Sequence, residues 1–260
     1  MLRGTAREAT IIAARNLKKL FRVRIVLFLS FFQSMLWLLL FPQSFGRFGD
    51  VAQFRAQGYS SYLMLFAPSA LAMTMLSNAF QSGMGMVADV QQGVFDKFLI
   101  TPIHRSSILL GKVLADAARM ILQGTVVLVV AMLMGATIRT GVLGALLMLV
   151  VAALFGIAWA GLSNIVALRT KNAEMTMMIG VLFTFPLLFL STAIMPSALL
   201  PSWLQQVSRF NPVTYLVDAA RTLMNFGYDW GQLGRTLAVI AAVGTVTLTA
   251  ATRAFQKATT

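Results

Sequence analysis

Asp89-Val-Gln-Gln-Gly93-Val-Phe-Asp96-Lys97-Phe-Leu99-Ile-Thr101-Pro102-Ile-His104-Arg105 stands between two long apolar segments. It is charged and punctuated by glycine and proline. Of the 260 residues, 58% are hydrophobic and 11% are charged. Soluble domains carry about 25% charged residues, so this chain cannot cover a globule with charge. The island is therefore expected where water or another protein meets a membrane-embedded chain, and the fold class that follows is an all-α integral membrane protein.

Working outward, charge-free intervals mark six expected spans. They are Ile25–Gly46, Ala56–Ala88, Met120–Ile138, Gly141–Leu168, Met175–Ser208 and Thr236–Thr252, the last extended back to about Gly234. A crossing helix needs roughly 20 apolar residues. Met175–Ser208 is too long for one helix and too short for two, and is expected to break at Pro196 and Pro201. The whole of 1–260 reads as one membrane domain, with the six spans in 25–252.

Lys and Arg orient the spans. The N-terminal tail, the second and fourth loops and the C-terminus carry fifteen of the 21 Lys and Arg residues. The other side carries six, namely Arg47, Arg55, Arg139, Arg209, Arg221 and Arg235. Both termini and the 89–105 island are thus expected in the cytoplasm. The first apolar run follows a tail rich in Lys and Arg, and no small-residue cleavage site follows it, so a cleaved signal peptide is not expected. A net charge of +13 can mean nucleic-acid binding. Here the basic residues flank apolar spans, so membrane lipids are the expected partner and nucleic acid is not.

Residues 6–22 read as an amphipathic interfacial helix. Arg15, Lys18, Lys19 and Arg22 form one face, with Ala6, Ala9, Ala13, Leu17, Leu20 and Phe21 roughly opposite and Ile11 misplaced on the basic side. Lys112, Asp116 and Arg119 share another helical face. They are expected as a solvated, partly paired foot of the third span, with a proton or ion relay as the alternative, because a charge at mid-bilayer costs about 2.5–3.5 kcal/mol. Asn78, Gln81, Gln123 and Asn164 are expected to form hydrogen bonds between helices.

Between spans 5 and 6 run Ser191-Thr-Ala-Ile-Met-Pro196, Leu200-Pro201-Ser-Trp203-Leu-Gln205 and Asn211-Pro212-Val-Thr-Tyr-Leu-Val-Asp218-Ala-Ala-Arg221. Pro201 and Pro212 suit first helical turns, and Asn211 suits an N-cap. Two short helices are expected there, forming an outer re-entrant hairpin. Asp218 and Arg221 can pair at i, i+3, and Trp203, Tyr215, Tyr228 and Trp230 suit headgroup level.

Catalytic chemistry has little material. The chain has no cysteine, one histidine and eight acidic residues, and no metal site is expected. Gly111-Lys112 is followed by Val113 without a glycine-rich approach, so it is no phosphate loop. Asp116-Ala-Ala-Arg119 resembles part of the aspartate-rich signature of phospholipid head-group transferases, but the further aspartates are absent.

Two motifs together resemble the permease subunits of type-2 ABC exporters, in the branch of daunorubicin-resistance-like drug permeases. One is Asp89-x3-Gly93-x2-Asp96-x2-Leu99-x-Thr101-Pro102-x2-Arg105 followed by Gly111-Lys112. The other is the 191–221 stretch just quoted. The resemblance implies a subunit with no ATP site of its own. It would pair with a second permease, identical or not, and bind two cytosolic ATPase subunits carrying ATP and Mg. On this resemblance Asp89, Gly93, Asp96, Leu99, Thr101, Pro102 and Arg105 belong to a coupling helix that docks on the ATPase. Arg15, Lys18, Lys19 and Arg22 form a second cytosolic contact. Pro196, Pro201, Trp203, Asn211, Pro212, Asp218 and Arg221 belong to the outer gate hairpin. The implied activity is export of a lipophilic drug across a bacterial plasma membrane. A lipid or lipid-linked polysaccharide substrate, or an ATP-independent channel or carrier, are the alternatives.

Overall fold

A computed structural model describes residues 2–22, 24–47, 55–93 and 105–258. Its helices are α1 (Leu2–Arg22), α2 (Arg24–Phe45), α3 (Tyr62–Gln91), α4 (Arg105–Leu133), α5 (Gly141–Thr170), α6 (Ala173–Phe189), α7 (Ser202–Ser208), α8 (Pro212–Arg221) and α9 (Trp230–Ala258). A 3-10 turn at Ser197–Leu199 precedes α7, and a π turn at Thr222–Phe226 follows α8. Among the described residues there is no strand. Among the described residues, four helices are long and apolar enough to cross a membrane: Tyr62–Gln91, Leu110–Leu133, Gly141–Thr170 and Trp230–Ala254. Ala173–Phe189 is a shorter apolar helix of 17 residues.

The centre of the bundle is α3. Leu65, Phe66, Ala67, Leu71, Ala72, Met75, Leu76 and Ala79 are all fully buried, because α2, α4, α5, α6 and α8 pack around this helix. Phe41 of α2 stacks on Phe66 with centroids 4.7 Å apart. Small residues set the closest crossings. A Cβ on Gly83 of α3 would lie 2.8 Å from the Ser163 carbonyl of α5, and one on Gly161 of α5 would lie 3.0 Å from the Thr247 backbone of α9. The Thr247 hydroxyl donates to the Ala158 carbonyl at 2.6 Å across the same seam. Such approach of small residues is how apolar helices gain packing where no hydrophobic drive separates helix from lipid.

Two boundaries differ from expectation. The long fifth interval breaks at Leu190, before Pro196. Pro186 sits inside α6, and the carbonyls of the last turn are taken by side chains. Asn211 Nδ2 donates to Leu187 O at 2.6 Å, and Ser191 Oγ donates to Leu188 O at 2.7 Å. Carbonyls capped this way no longer need a continuing helix. The third apolar span, expected over Met120–Ile138, instead covers Leu110–Leu133 within a helix that opens at Arg105.

The short helices appear where expected. Asn211 caps α8 by accepting from Val213 N at 3.0 Å, with Pro212 in the first turn. Pro201 occupies the N-cap position of α7. Trp203, Tyr228 and Trp230 are exposed, and the last two stack with centroids 5.7 Å apart.

Candidate functional site

Two polar clamps grip α3, one toward each end. The first lies where α3 crosses α4. Lys112, Asp116, Arg119 and Gln123 recur at spacings of four, three and four, which places them on one face of α4. Asp116 Oδ2 accepts from Ser82 Oγ at 2.5 Å. Lys112 Nζ donates to Ser82 O at 3.0 Å, and an Arg119 guanidinium nitrogen donates to Asn78 O at 2.6 Å. Asp116 sits between its two cations, 4.0 Å from Lys112 and 3.7 Å from Arg119. Deeper along α3, Asn78 donates to Gln123 of α4.

The expected pairing within this foot is present, but the expected solvation is corrected. The side chains of Lys112, Asp116 and Arg119 are only 15%, 14% and 11% exposed. A single carboxylate and two helix carbonyls supply partners that make their burial tolerable. Ser82 was not singled out in the sequence, where a serine in an apolar run has no visible partner.

The same half of α4 also holds α1. Ser107 Oγ donates to Glu8 Oε2 at 2.7 Å. A Cβ on Gly111 would fall 2.6 Å from Ile12 Cβ and 2.8 Å from the Ala9 carbonyl. Ala9, Ile12 and Ala13 are buried there. The apolar stripe of α1 is thus applied to α4, while Arg15 and Lys18 are exposed beside Ile11, itself 61% exposed. The side chains of Lys19 and Arg22 lie outside the described residues. Gly111→Val should wedge α1 off α4, since a helix interior cannot yield backbone. Overpacking of this kind costs about 1–3 kcal/mol, and the check is faster proteolysis of α1 with the rest of the bundle intact.

The expected coupling residues are only partly visible. Asp89 is half-buried in the last turn of α3. Gly93 follows the helix with φ +61°, a left-handed conformation that suits glycine at a helix end, and its N–H donates to Val90 O at 3.1 Å. Asp96, Leu99, Thr101 and Pro102 lie outside the described residues, as does the Arg105 side chain, although Arg105 opens α4. Gln91 Nε2 donates to Lys171 O at 3.1 Å. The turn between α5 and α6 therefore sits against the last turn of α3.

The second clamp lies toward the start of α3 and is built on Arg221, which is 2% exposed. Its Nε donates to Leu65 O at 3.1 Å. One terminal nitrogen donates to Ser69 Oγ at 3.1 Å and to Ala193 O at 3.0 Å. The other lies 3.7 Å from Asp218 Oδ1, which also accepts from Thr192 Oγ1 at 2.8 Å. Burial raises the Asp218 carboxyl above its ordinary value, against the opposing pull of Arg221 and Thr192. Pro68 supplies a local reason for this stitching. Having no N–H, it leaves the Met64 carbonyl one turn earlier without its helical donor, and Asn225 Nδ2 fills the place at 3.1 Å. The expected i, i+3 pair of Asp218 and Arg221 is present, but most of the work of Arg221 is done toward α3 and the 191–196 segment. Ser69, Thr192 and Asn225 were not read from the sequence. Pro68, a proline inside an apolar run, was the signal that a carbonyl there would need an outside donor.

The π turn ties a third segment to this end. Thr140 Oγ1 donates to Leu223 O at 2.7 Å, and Arg139 N donates to Met224 O at 2.9 Å. Pro196 and Trp203 belong to the same end but make no polar contact in these clamps.

This arrangement ties helices together, and among the described residues there is no group of three or more His, Asp or Glu that could hold a metal ion. A family model described as ABC-2 type transporter matches residues 7–225. The chain belongs to the ABC-2 type transporter family. Curated relatives agree. The chain is 27% identical over 212 residues to the daunorubicin resistance ABC transporter permease protein DrrB1 of Streptomyces coeruleorubidus, covering 80% of this chain and 71% of that protein. It is 28% identical over 224 residues to the putative transport permease ycf38 of Cyanophora paradoxa, covering 83% and 73%. It is 32% identical over 130 residues to the probable doxorubicin resistance ABC transporter permease protein DrrC of Mycobacterium tuberculosis, covering 50% of this chain and 46% of that one. ABC-2 permeases are transmembrane components rather than ATPases, and membership implies an ABC ATPase partner. The match takes in α1 from Arg7 onward, both clamps and the whole 94–104 stretch of sequence.

Proposed function

We propose that this chain is the membrane-spanning permease subunit of an ATP-driven exporter, moving a lipophilic drug or lipid-like substrate out across a bacterial plasma membrane. A separate pair of ATPase subunits, carrying ATP and Mg, supplies the energy, and a second permease, identical or not, completes the pathway. In this reading α2, α3, α4, α5, α6 and α9 are the six spans, both termini are cytoplasmic, and α7 and α8 form the outer re-entrant hairpin.

The observation that carries the reading is the double attachment of α4. Immediately after the 94–104 segment, one stretch of α4 is bonded to α1 through Ser107 and to α3 through Lys112, Asp116 and Arg119. A push on that segment by a closing ATPase would move three helices together. Asp89, Gly93, Asp96, Leu99, Thr101, Pro102 and Arg105 then form the lever, with Arg15, Lys18, Lys19 and Arg22 beside it. At the far end Asp218 and Arg221 join the outer hairpin to the same α3, so motion of α3 reaches the gate.

The test is to purify the chain with and without its cognate ABC ATPase, and to measure co-purification and drug-stimulated ATP hydrolysis in lipid. A stable membrane protein that never captures the ATPase overturns the proposal. Charge reversal at Asp89 or Asp96 is expected to lower drug-stimulated hydrolysis severalfold or to weaken assembly, with membrane insertion unchanged; wild-type coupling in both variants removes them from the lever.

A second reading has one observation in its favour. Lys112, Asp116 and Arg119 lie in or beside the apolar stretch Leu110–Leu133, and charged residues within spans can mark ion-coupled carriers. Substrate movement driven by an ion gradient, with no ATPase bound, would favour it. Within the first reading, a lipid or lipid-linked polysaccharide is the alternative substrate, distinguished by which compound stimulates hydrolysis.

A further inference from the structure

Three polar atoms at the α3–α4 crossing are buried without a hydrogen-bond partner among the described residues: Asn78 Oδ1, Arg119 Nε and Gln123 Nε2. They are not scattered. Arg119 and Gln123 are one turn apart on the same face of α4, and both bond to Asn78, one to its carbonyl and one to its side chain. Asn78 and Gln123 are 0% and 2% exposed. Turning the amides does not remove the problem. Asn78 Nδ2 donates at once to Gln123 Oε1 and to Thr74 O, the latter at 2.9 Å. Reversing Asn78 would set its oxygen against the Thr74 carbonyl. Its orientation is therefore fixed, and so is the acceptor left open.

Two donors and one acceptor define the chemistry of a group that all three could bind. An anion accepts from both donors but cannot donate to Asn78 Oδ1. A cation offers nothing to the two N–H groups. A neutral hydroxyl satisfies all three, and about three hydrogen bonds is the usual complement of an internal water. We propose that the α3–α4 crossing is a water-binding site, in which one internal water accepts from Arg119 Nε and Gln123 Nε2 and donates to Asn78 Oδ1. The site continues the polar face of α4, which runs from Lys112 to Gln123, roughly 16 Å at the helical rise. Water-mediated bonds are nearly as favourable as direct ones and have less fixed geometry. A crossing joined this way can shift and re-form its bonds, which a dry packed crossing cannot do without strain.

The test is a structure of the full-length chain in lipid nanodiscs at a resolution that shows ordered water. A peak is expected at about 2.7–3.2 Å from all three atoms. The absence of that peak, or a direct bond between Arg119 Nε and Asn78 Oδ1 in its place, overturns the proposal.

Discussion

Asp116→Leu is expected to cost this chain most of its folded yield. Among the described residues, Asp116 is the one carboxylate facing both Lys112 and Arg119, at 4.0 and 3.7 Å. Without it two cations remain against α3 with only carbonyls for partners. Removing one side of a buried ion pair costs about 3–5 kcal/mol, against a total stability on the order of 5–15 kcal/mol. Asp116→Asn should cost clearly less, because the amide oxygen still accepts from Ser82 Oγ. Thermal melts in detergent should rank wild type above Asn and Asn above Leu. The double variant Asp116→Leu with Arg119→Leu should recover part of the loss, since it also removes one of the two stranded charges. Additive losses would mean that the two residues do not interact, and a wild-type melt for Asp116→Leu would remove the clamp from the account of stability.

The fold was legible in the sequence to the extent that it depends on apolar runs and charge gaps. Ile25–Gly46 and Gly141–Leu168 anticipate α2 and α5 closely, and Ala56–Ala88 anticipates α3 apart from its start, which lies at Tyr62, because a helix in lipid must satisfy its backbone internally and so follows its apolar run. The Asn211-Pro212 pair located the start of α8 to the residue. What was not legible depends on pairs distant in sequence. Lys112, Asp116 and Arg119 look like a helix foot until Ser82 and the Asn78 carbonyl, 30 to 41 positions away, are brought beside them. The docking of α1 was hidden for the same reason. Gly111 reads as part of a motif, whereas its structural role is to be small enough for Ile12 and Ala9 to approach. Asp96, Leu99, Thr101 and Pro102 remain known from sequence alone.

Arg221→Leu is expected to disconnect the outer hairpin from α3. The guanidinium uses its fork in three directions, toward Leu65 O, toward Ser69 Oγ and Ala193 O, and toward Asp218. Loss of the group leaves Ala193 O without this donor and Asp218 without its cation. Asp218 keeps Thr192 and is 38% exposed, so water can reach it, which puts the expected cost near 3 kcal/mol, the lower part of the range for breaking a buried pair. Arg221→Lys keeps the charge but replaces a planar fork by a single ammonium that cannot serve all three directions. It should fall between wild type and Leu. Because the chain has no cysteine, Ala193→Cys gives a local readout. Ala193 is fully buried, so the thiol should resist a polar maleimide in the Arg221 background and label readily in the Leu background. An overall melt could fall for many reasons, whereas selective exposure of position 193 follows only if Arg221 holds the 191–196 segment against α3. Equal, slow labelling in both backgrounds would mean that the segment is held by Tyr62, whose hydroxyl donates to Ile194 O at 3.2 Å, and by packing, with Arg221 serving only to complete the carbonyls around Pro68.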